Sequence, residues 1–108
     1  MKNANVFVDV DLTLVDLNGA LLPGAREALA KLKQHGCHLF LWSSVSLHYA
    51  QTMAKRHQLE SLFEGYVAKP DIIIDDMPST TVPPFSYDVN EERSWGSLAD
   101  KIIQEHID

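Results

Sequence analysis

Thiols are almost missing from this chain: Cys37 is the single cysteine in 108 residues. An internal disulfide is therefore impossible, and the reducing cytosol is the default compartment, so a cytoplasmic protein is expected. Basic residues are also scarce. Nine lysines and arginines stand against fifteen aspartates and glutamates, a net charge of −6, and the nine form no cluster. That argues against the basic face by which proteins hold nucleic acid. No apolar run approaches the ~20 residues of a membrane-spanning helix. Met1-Lys2-Asn3-Ala4-Asn5 leads straight into an apolar run, so no signal peptide is expected. Internal repeats, low-complexity tracts and linkers are absent as well. The length suits one domain over 1–108.

What is present is ordinary for a globular fold, 45% apolar and 22% charged. Residues 4–10 read as a buried first strand, rich in β-branched and aromatic side chains. Residues 12–23 read as a loop with turn signals at Asn18-Gly19 and Pro23-Gly24. Residues 25–35 make a helix whose buried stripe is Ala25, Ala28, Leu29 and Leu32. Gly36 stops it. Residues 37–43 are a second strand, ending in Ser43. Residues 46–58 are a second helix, capped by Ser46 or Ser44, with Leu47, Ala50, Met53 and Ala54 apolar.

A short strand is expected within 62–68, and another at Ile72-Ile73-Ile74, which Pro78 prevents from continuing. The stretch 79–90 reads mostly as loop, with the alternating Phe85–Val89 as a final edge strand. Ser94 caps a last helix over 94–107, burying Leu98, Ile102, Ile103 and Ile107. Strands alternating with helices predict a three-layer α/β/α sandwich. Its sheet is Rossmann-like and mainly parallel, with the first strand central.

Three strands end in chemistry. The first runs into Asp9 and Asp11, with Thr13 beyond; the second ends in Ser43; the third apolar run ends in Asp75-Asp76. Ligands of open parallel sheets bind outside the carboxyl ends of the strands. Two carboxylates two residues apart repel unless a cation or a shared proton sits between them. A hard divalent metal with oxygen ligands suits them. A lone pair of loop aspartates is most simply solvated. Acid, hydroxyl and acid pair converging on one sheet edge are not explained that way.

The same residues resemble the haloacid dehalogenase-like phosphatase superfamily over roughly 4–78. Asp9-Val10-Asp11-Leu12-Thr13 matches its D-x-D-x-T motif, Ser43 its second-strand hydroxyl, and Asp75-Asp76 its paired acids. Pro23-Gly24-Ala25 also looks like the family's entry to the first helix. Leu12 stands where many members have Gly. Neither the 12–23 loop nor the segment between Ser43 and Asp75 is long enough for a cap domain.

The resemblance implies a Mg²⁺-dependent phosphatase. Asp9 would be the nucleophile that becomes an aspartyl-phosphate, and Asp11 the general acid and base. Ser43 and Lys69 would bind phosphate, and Asp9, Asp11, Asp75 and Asp76 would serve the metal. Thr13 would brace the loop. Lys69 lies six residues before Asp75, up to ~20 Å if extended. Either the chain folds back at Pro70, or Arg26 or Arg93 supplies the charge instead.

The remaining candidates read as structural. His35, His38, His57 and His106 are surface or helix-end residues, and Cys37, Trp42 and Met53 are core. His48, just past Ser43, borders the site or is simply exposed. The implied partner is a phosphorylated substrate, and an oligomer that covers the open site is compatible with the chain. Two other functions fit these residue types: a receiver-like phospho-acceptor module, and a catalytically weak metal-binding relative. Receivers open with adjacent acids and carry the acceptor on the third strand, an order opposite to the one here. Phosphate release separates all three.

Overall fold

The computed structural model describes residues 1–77 and 85–108. Three parallel strands form the sheet, in the order β1 (Asn5–Asp9), β2 (His38–Ser43), β3 (Gly65–Ala68). Asp9 lies opposite Trp42, and Ser43 opposite Ala68. The connections are α1 (Ala25–Gln34) and α2 (Leu47–Arg56), and the chain ends in α3 (Trp95–Ile102). The α/β fold with a parallel sheet is as expected from the sequence. No helix among the described residues is long and apolar enough to cross a membrane.

Local chemistry explains the elements. Gly36 takes φ 92°, a left-handed conformation that only glycine adopts cheaply. Beyond it, Cys37 N–H returns to the Leu32 carbonyl at 3.1 Å, closing the end of α1. Ser46 caps α2 by accepting from Tyr49 N–H at 2.9 Å, and Ser94 caps α3 from Ser97 N–H at 3.1 Å. After α3, Ile103–Ile107 winds on as a wider π turn.

Burial alternates along β2 and through Phe7–Asp9 of β1, as the two-residue period of a strand requires. Val8, Leu39 and Leu41 join Leu29, Leu32, Ala50 and Met53 in the buried core. α1 and α2 pack on β2, and α3 packs on α1. The opposite sheet face carries Phe7, Phe40, Trp42 and Val67, none of which belongs to that core.

Three expectations need correction. Ile72-Ile73-Ile74 is not a strand: Ile72 and Ile74 are 83% and 96% exposed. The last bond of the ladder is Lys69 N–H to the Ser43 carbonyl, 3.0 Å, and Pro70, which has no N–H, follows it. The isoleucines therefore leave the sheet with no neighbour to pair with. Among the described residues β1 is therefore an edge strand, not the central one.

Phe85–Val89 is not a strand either. Its alternate side chains dock on the C-terminal turn instead. The Phe85 ring lies 4.3 Å from that of His106, and the Tyr87 hydroxyl donates to Glu105 at 2.7 Å. Lesser differences are that Leu47 is exposed and that Ile102 and Ile107 are only half-buried. Pro78 and the first half of the loop expected over 79–90 lie outside the described residues.

Burial, then the bond to Glu105, push the Tyr87 phenol from 10.0 up to about 12. A raised folded-state value means the group's stabilisation is complete below pH ~10 and disappears as pH climbs through about 12. Urea midpoints measured from pH 9 to 12 are expected to fall more steeply for the wild type than for Tyr87→Phe. Parallel curves would show that Tyr87 is not a source of the alkaline loss.

Candidate active site

Because all three strands run the same way, Asp9, Ser43 and Ala68 reach one sheet edge. Beyond β1 the chain turns sharply. Leu14 N–H and Val15 N–H both return to the Val10 carbonyl, at 2.9 and 3.2 Å. Leu12 takes φ 60° in that turn, a left-handed conformation that costs a non-glycine residue about 1–2 kcal/mol. This is the position where glycine is common in the family the motif resembles. The turn is held from outside by Trp95 of α3, whose indole N–H donates to the Thr13 carbonyl at 3.0 Å.

Asp9 is the hub. Its Oδ2 accepts from the Thr13 hydroxyl at 3.2 Å, and its Oδ1 pairs with Lys69 Nζ at 3.1 Å. Thr13 thus braces the acid as well as the loop. Lys69 reaches Asp9 without folding back. The obstacle of a long return along a fourth strand vanishes because that strand is not formed. Lys69 simply follows β3, at the same edge as Asp9.

The alternative cations serve elsewhere. Arg26 donates to the carbonyls of His57 and Gln58 past the end of α2, and Arg93 is exposed before the Ser94 cap. His48 is exposed on α2. Contrary to expectation, His57 is half-buried, with its Nε2 2.8 Å from the Gly19 carbonyl. His106 is also half-buried, against Phe85 and Tyr87. Trp42 is likewise not a core residue but half-open on the sheet face, with Lys69 Nζ 5.5 Å from its ring centroid.

Asp11 points to a different partner. The Tyr49 hydroxyl donates to its Oδ1 at 2.6 Å, and that bond, ahead of burial, raises the phenol's pKa. Tyr49 was not legible as a site residue. The available signal was its place three residues after the Ser46 cap. A helix that follows a parallel strand begins at the strand's carboxyl edge, so its first turn borders the site. Ser43 is only 2% exposed. Its Oγ accepts from Val45 N–H at 3.0 Å, which uses a lone pair and leaves the hydroxyl proton to donate.

Asp75 and Asp76 do not join this group. Both are exposed, and Asp75 Oδ1 accepts from Met77 N–H at 2.9 Å. That bond, with a second from Asp76, lowers the Asp75 pKa. Among the described residues no three histidine, cysteine or acidic side chains gather as a metal-ligand set. The expected convergence of four carboxylates is therefore not formed. Its physical reason is the missing strand: nothing carries Asp75 back to the end of β1.

The site is an open surface. A 370 Å³ hollow between α1 and α3 and a 590 Å³ hollow along α2 are lined by neither Asp9 nor Lys69. Comparison of the chain with family models, curated proteins and solved structures finds no match.

Trp95→Phe keeps the ring in the core and leaves the Thr13 carbonyl without the indole bond. Losing a partner from a half-buried polar group costs about 1–3 kcal/mol. Urea denaturation is expected to show a loss of that size. A change below about 0.5 kcal/mol, the level of an ordinary surface substitution, would mean the bond does not hold the turn.

Proposed function

We propose that the chain is a phosphatase that works through Asp9. The observation that carries this reading is the Asp9–Lys69 pair at 3.1 Å, with Thr13 on the other carboxylate oxygen. A phosphoryl acceptor must be ionised, oriented and close to positive charge that the incoming phosphate can share. Thr13 orients Asp9, and the Lys69 ammonium lies beside it. Asp9 lies at an open edge, as a capless phosphatase of the haloacid dehalogenase type would place it.

In the first step an Asp9 oxygen bonds to phosphorus, and the phosphorus–oxygen bond to the leaving group breaks. Asp11 gives its proton to the leaving oxygen. Water then attacks phosphorus, returns a proton to Asp11 and expels Asp9 as a carboxylate, releasing inorganic phosphate. Tyr49 fixes Asp11 by Oδ1, which leaves Oδ2 to carry the proton. The Lys69 ammonium would hold a phosphoryl oxygen, while Ser43, buried in phase with Leu39 and Leu41, would support the strand end rather than touch the phosphate.

The Asp9 carboxylate and the Asp11 main-chain carbonyl oxygen would suit Mg²⁺, which takes one or two carboxylates, several waters and phosphate oxygens. When bound, it would neutralise charge between acid and phosphate. Asp75 and Asp76 stand outside that set in the described conformation.

Phosphate release from a panel of monoesters, with and without Mg²⁺, tests the reading. Asp9→Asn is expected to abolish release. Asp11→Asn is expected to slow alkyl esters by about 10²–10⁴-fold, the usual worth of general acid–base help, and aryl esters much less. Release by Asp9→Asn at the wild-type rate would refute the assignment. A stable phospho-Asp9 with no release would make the chain an acceptor module rather than a phosphatase.

A further inference from the structure

We propose that the sheet face carrying Phe7, Phe40 and Trp42, which the described residues leave partly open, is the leaving-group subsite of the Asp9 centre, and that it takes a flat aromatic group. The inference rests on Asp9 as phosphoryl acceptor and names the substrate class: phosphate monoesters that carry an aromatic ring.

The placement follows from strand geometry. Phe7 and Asp9 are two residues apart on β1, and Trp42 is the partner of Asp9 on β2, so all three share a face. Lys69 links charge to ring: its Nζ is 3.1 Å from Asp9 Oδ1 and 5.5 Å from the Trp42 centroid. From there the aromatic surface is continuous. Trp42 meets Phe7 edge-on at 5.0 Å, and Phe7 stacks on Phe40 at 5.0 Å with 22° between planes. Phe7 is 45% exposed and Val67 38%. The row ends at the hydrogen bond between His38 Nδ1 and Glu64 Oε2.

Charge and size identify the occupant. The Lys69 ammonium complements a phosphate dianion, and the aromatic surface beside it is uncharged. A ligand that is anionic at one end and flat and apolar at the other matches both. From Asp9 back to Phe40 the sheet face is about 7 Å long and about 10 Å wide across its strands, at ~3.3 Å per residue and ~4.8 Å per strand. That is room for one or two rings. A stable dimer interface needs about 800 Å² from each partner, several times more. The geometry therefore favours a small aromatic group over a second copy of the chain.

The test uses phosphates of ethanol, benzyl alcohol and 2-naphthylmethanol. All three leaving groups are alcohols, so activation of the leaving group does not imitate binding. The KM of the wild type is expected to fall about 3–10-fold from ethyl to naphthylmethyl, the size of one aromatic contact. Trp42→Ala is expected to bring the ethyl-to-naphthylmethyl ratio near one, and Trp42→Phe to restore most of it. The ratio is taken within each variant, so a partial loss of fold does not affect it. If Trp42→Ala does not fold, Phe7→Leu keeps an apolar side chain without the ring and is expected to lower the ratio two- to threefold.

A wild-type ratio near one, or a ratio that Trp42→Ala leaves unchanged, would overturn the subsite. Calorimetry with ethylphosphonate and naphthylmethylphosphonate separates this from the activity. Trp42-dependent preference in binding without any hydrolysis would keep the subsite and reject the phosphatase. Equal binding of the two phosphonates would reject the subsite even if esters are hydrolysed. Sedimentation of the wild type and of Phe7→Asp covers the remaining occupant. A dimer that Phe7→Asp dissolves would give this face to a second copy and overturn the proposal.

Discussion

The parallel register of β1, β2 and β3 is the constraint on which the rest depends. Pairing Asp9 with Trp42 and Ser43 with Ala68 brings three strand ends to one edge. Lys69 is one residue past that edge, and its N–H is still bonded to the Ser43 carbonyl. Side chains alternate with a period of two, so a slip of one residue in β1 would exchange its faces. Asp9 would turn into the helix-covered core, and Val8 would face water. The hydrophobic core therefore fixes the site: Val8, Leu39 and Leu41 must be inside, and Asp9, Phe7 and Trp42 are then outside.

Local signals carried most of the fold. The Ser46 and Ser94 caps, the Gly36 stop and the apolar stripes of α1 and α3 each depend on residues within a few positions of one another. The readings that failed needed a partner far away. Three isoleucines have high strand propensity, but propensity measures fit to a pleated, half-buried surface and not an isolated preference. Beyond Lys69-Pro70 no such surface meets them, and they lie exposed. Phe85, Tyr87 and Val89 alternate as a strand would, yet Phe85 and Tyr87 are satisfied by Glu105 and His106 on the last turn of the chain.

The site divides in the same way. Asp9 and Thr13 bond across four residues and were visible as one motif. Tyr49 finds Asp11 across 38 residues, and Trp95 finds Thr13 across 82. The Trp95 pairing leaves no trace in local spacing, and the one hint of the other is the place of Tyr49 in the first turn after the Ser46 cap. Lys69 is the more instructive case, since its Nζ lies 3.1 Å from Asp9 Oδ1. Its residue type was right, and the distance objection was sound for a chain with a strand at Ile72–Ile74. The objection fell with that strand, and so did the gathering of Asp75 and Asp76 that the same strand would have produced.

The turn after β1 shows how the C-terminal helix enters the chemistry. Leu12 at φ 60° is strained, and a strained residue persists only where its surroundings over-determine it. Three groups do so here: the Val10 carbonyl from within the turn, Thr13 on Asp9, and Trp95 on the Thr13 carbonyl. Trp95 is the first residue of α3, fixed by the Ser94 cap and by packing of α3 on α1. The Lys69–Asp9 pair cannot take that structural part. Both side chains are about one-third exposed, and ion pairs of that kind contribute about 0–1 kcal/mol to stability. Its value is orientation: it keeps one carboxylate oxygen of Asp9 beside a cation at an otherwise acidic protein's open edge. The helix holds the backbone of the turn in place, and the lysine orients the acid that the turn presents.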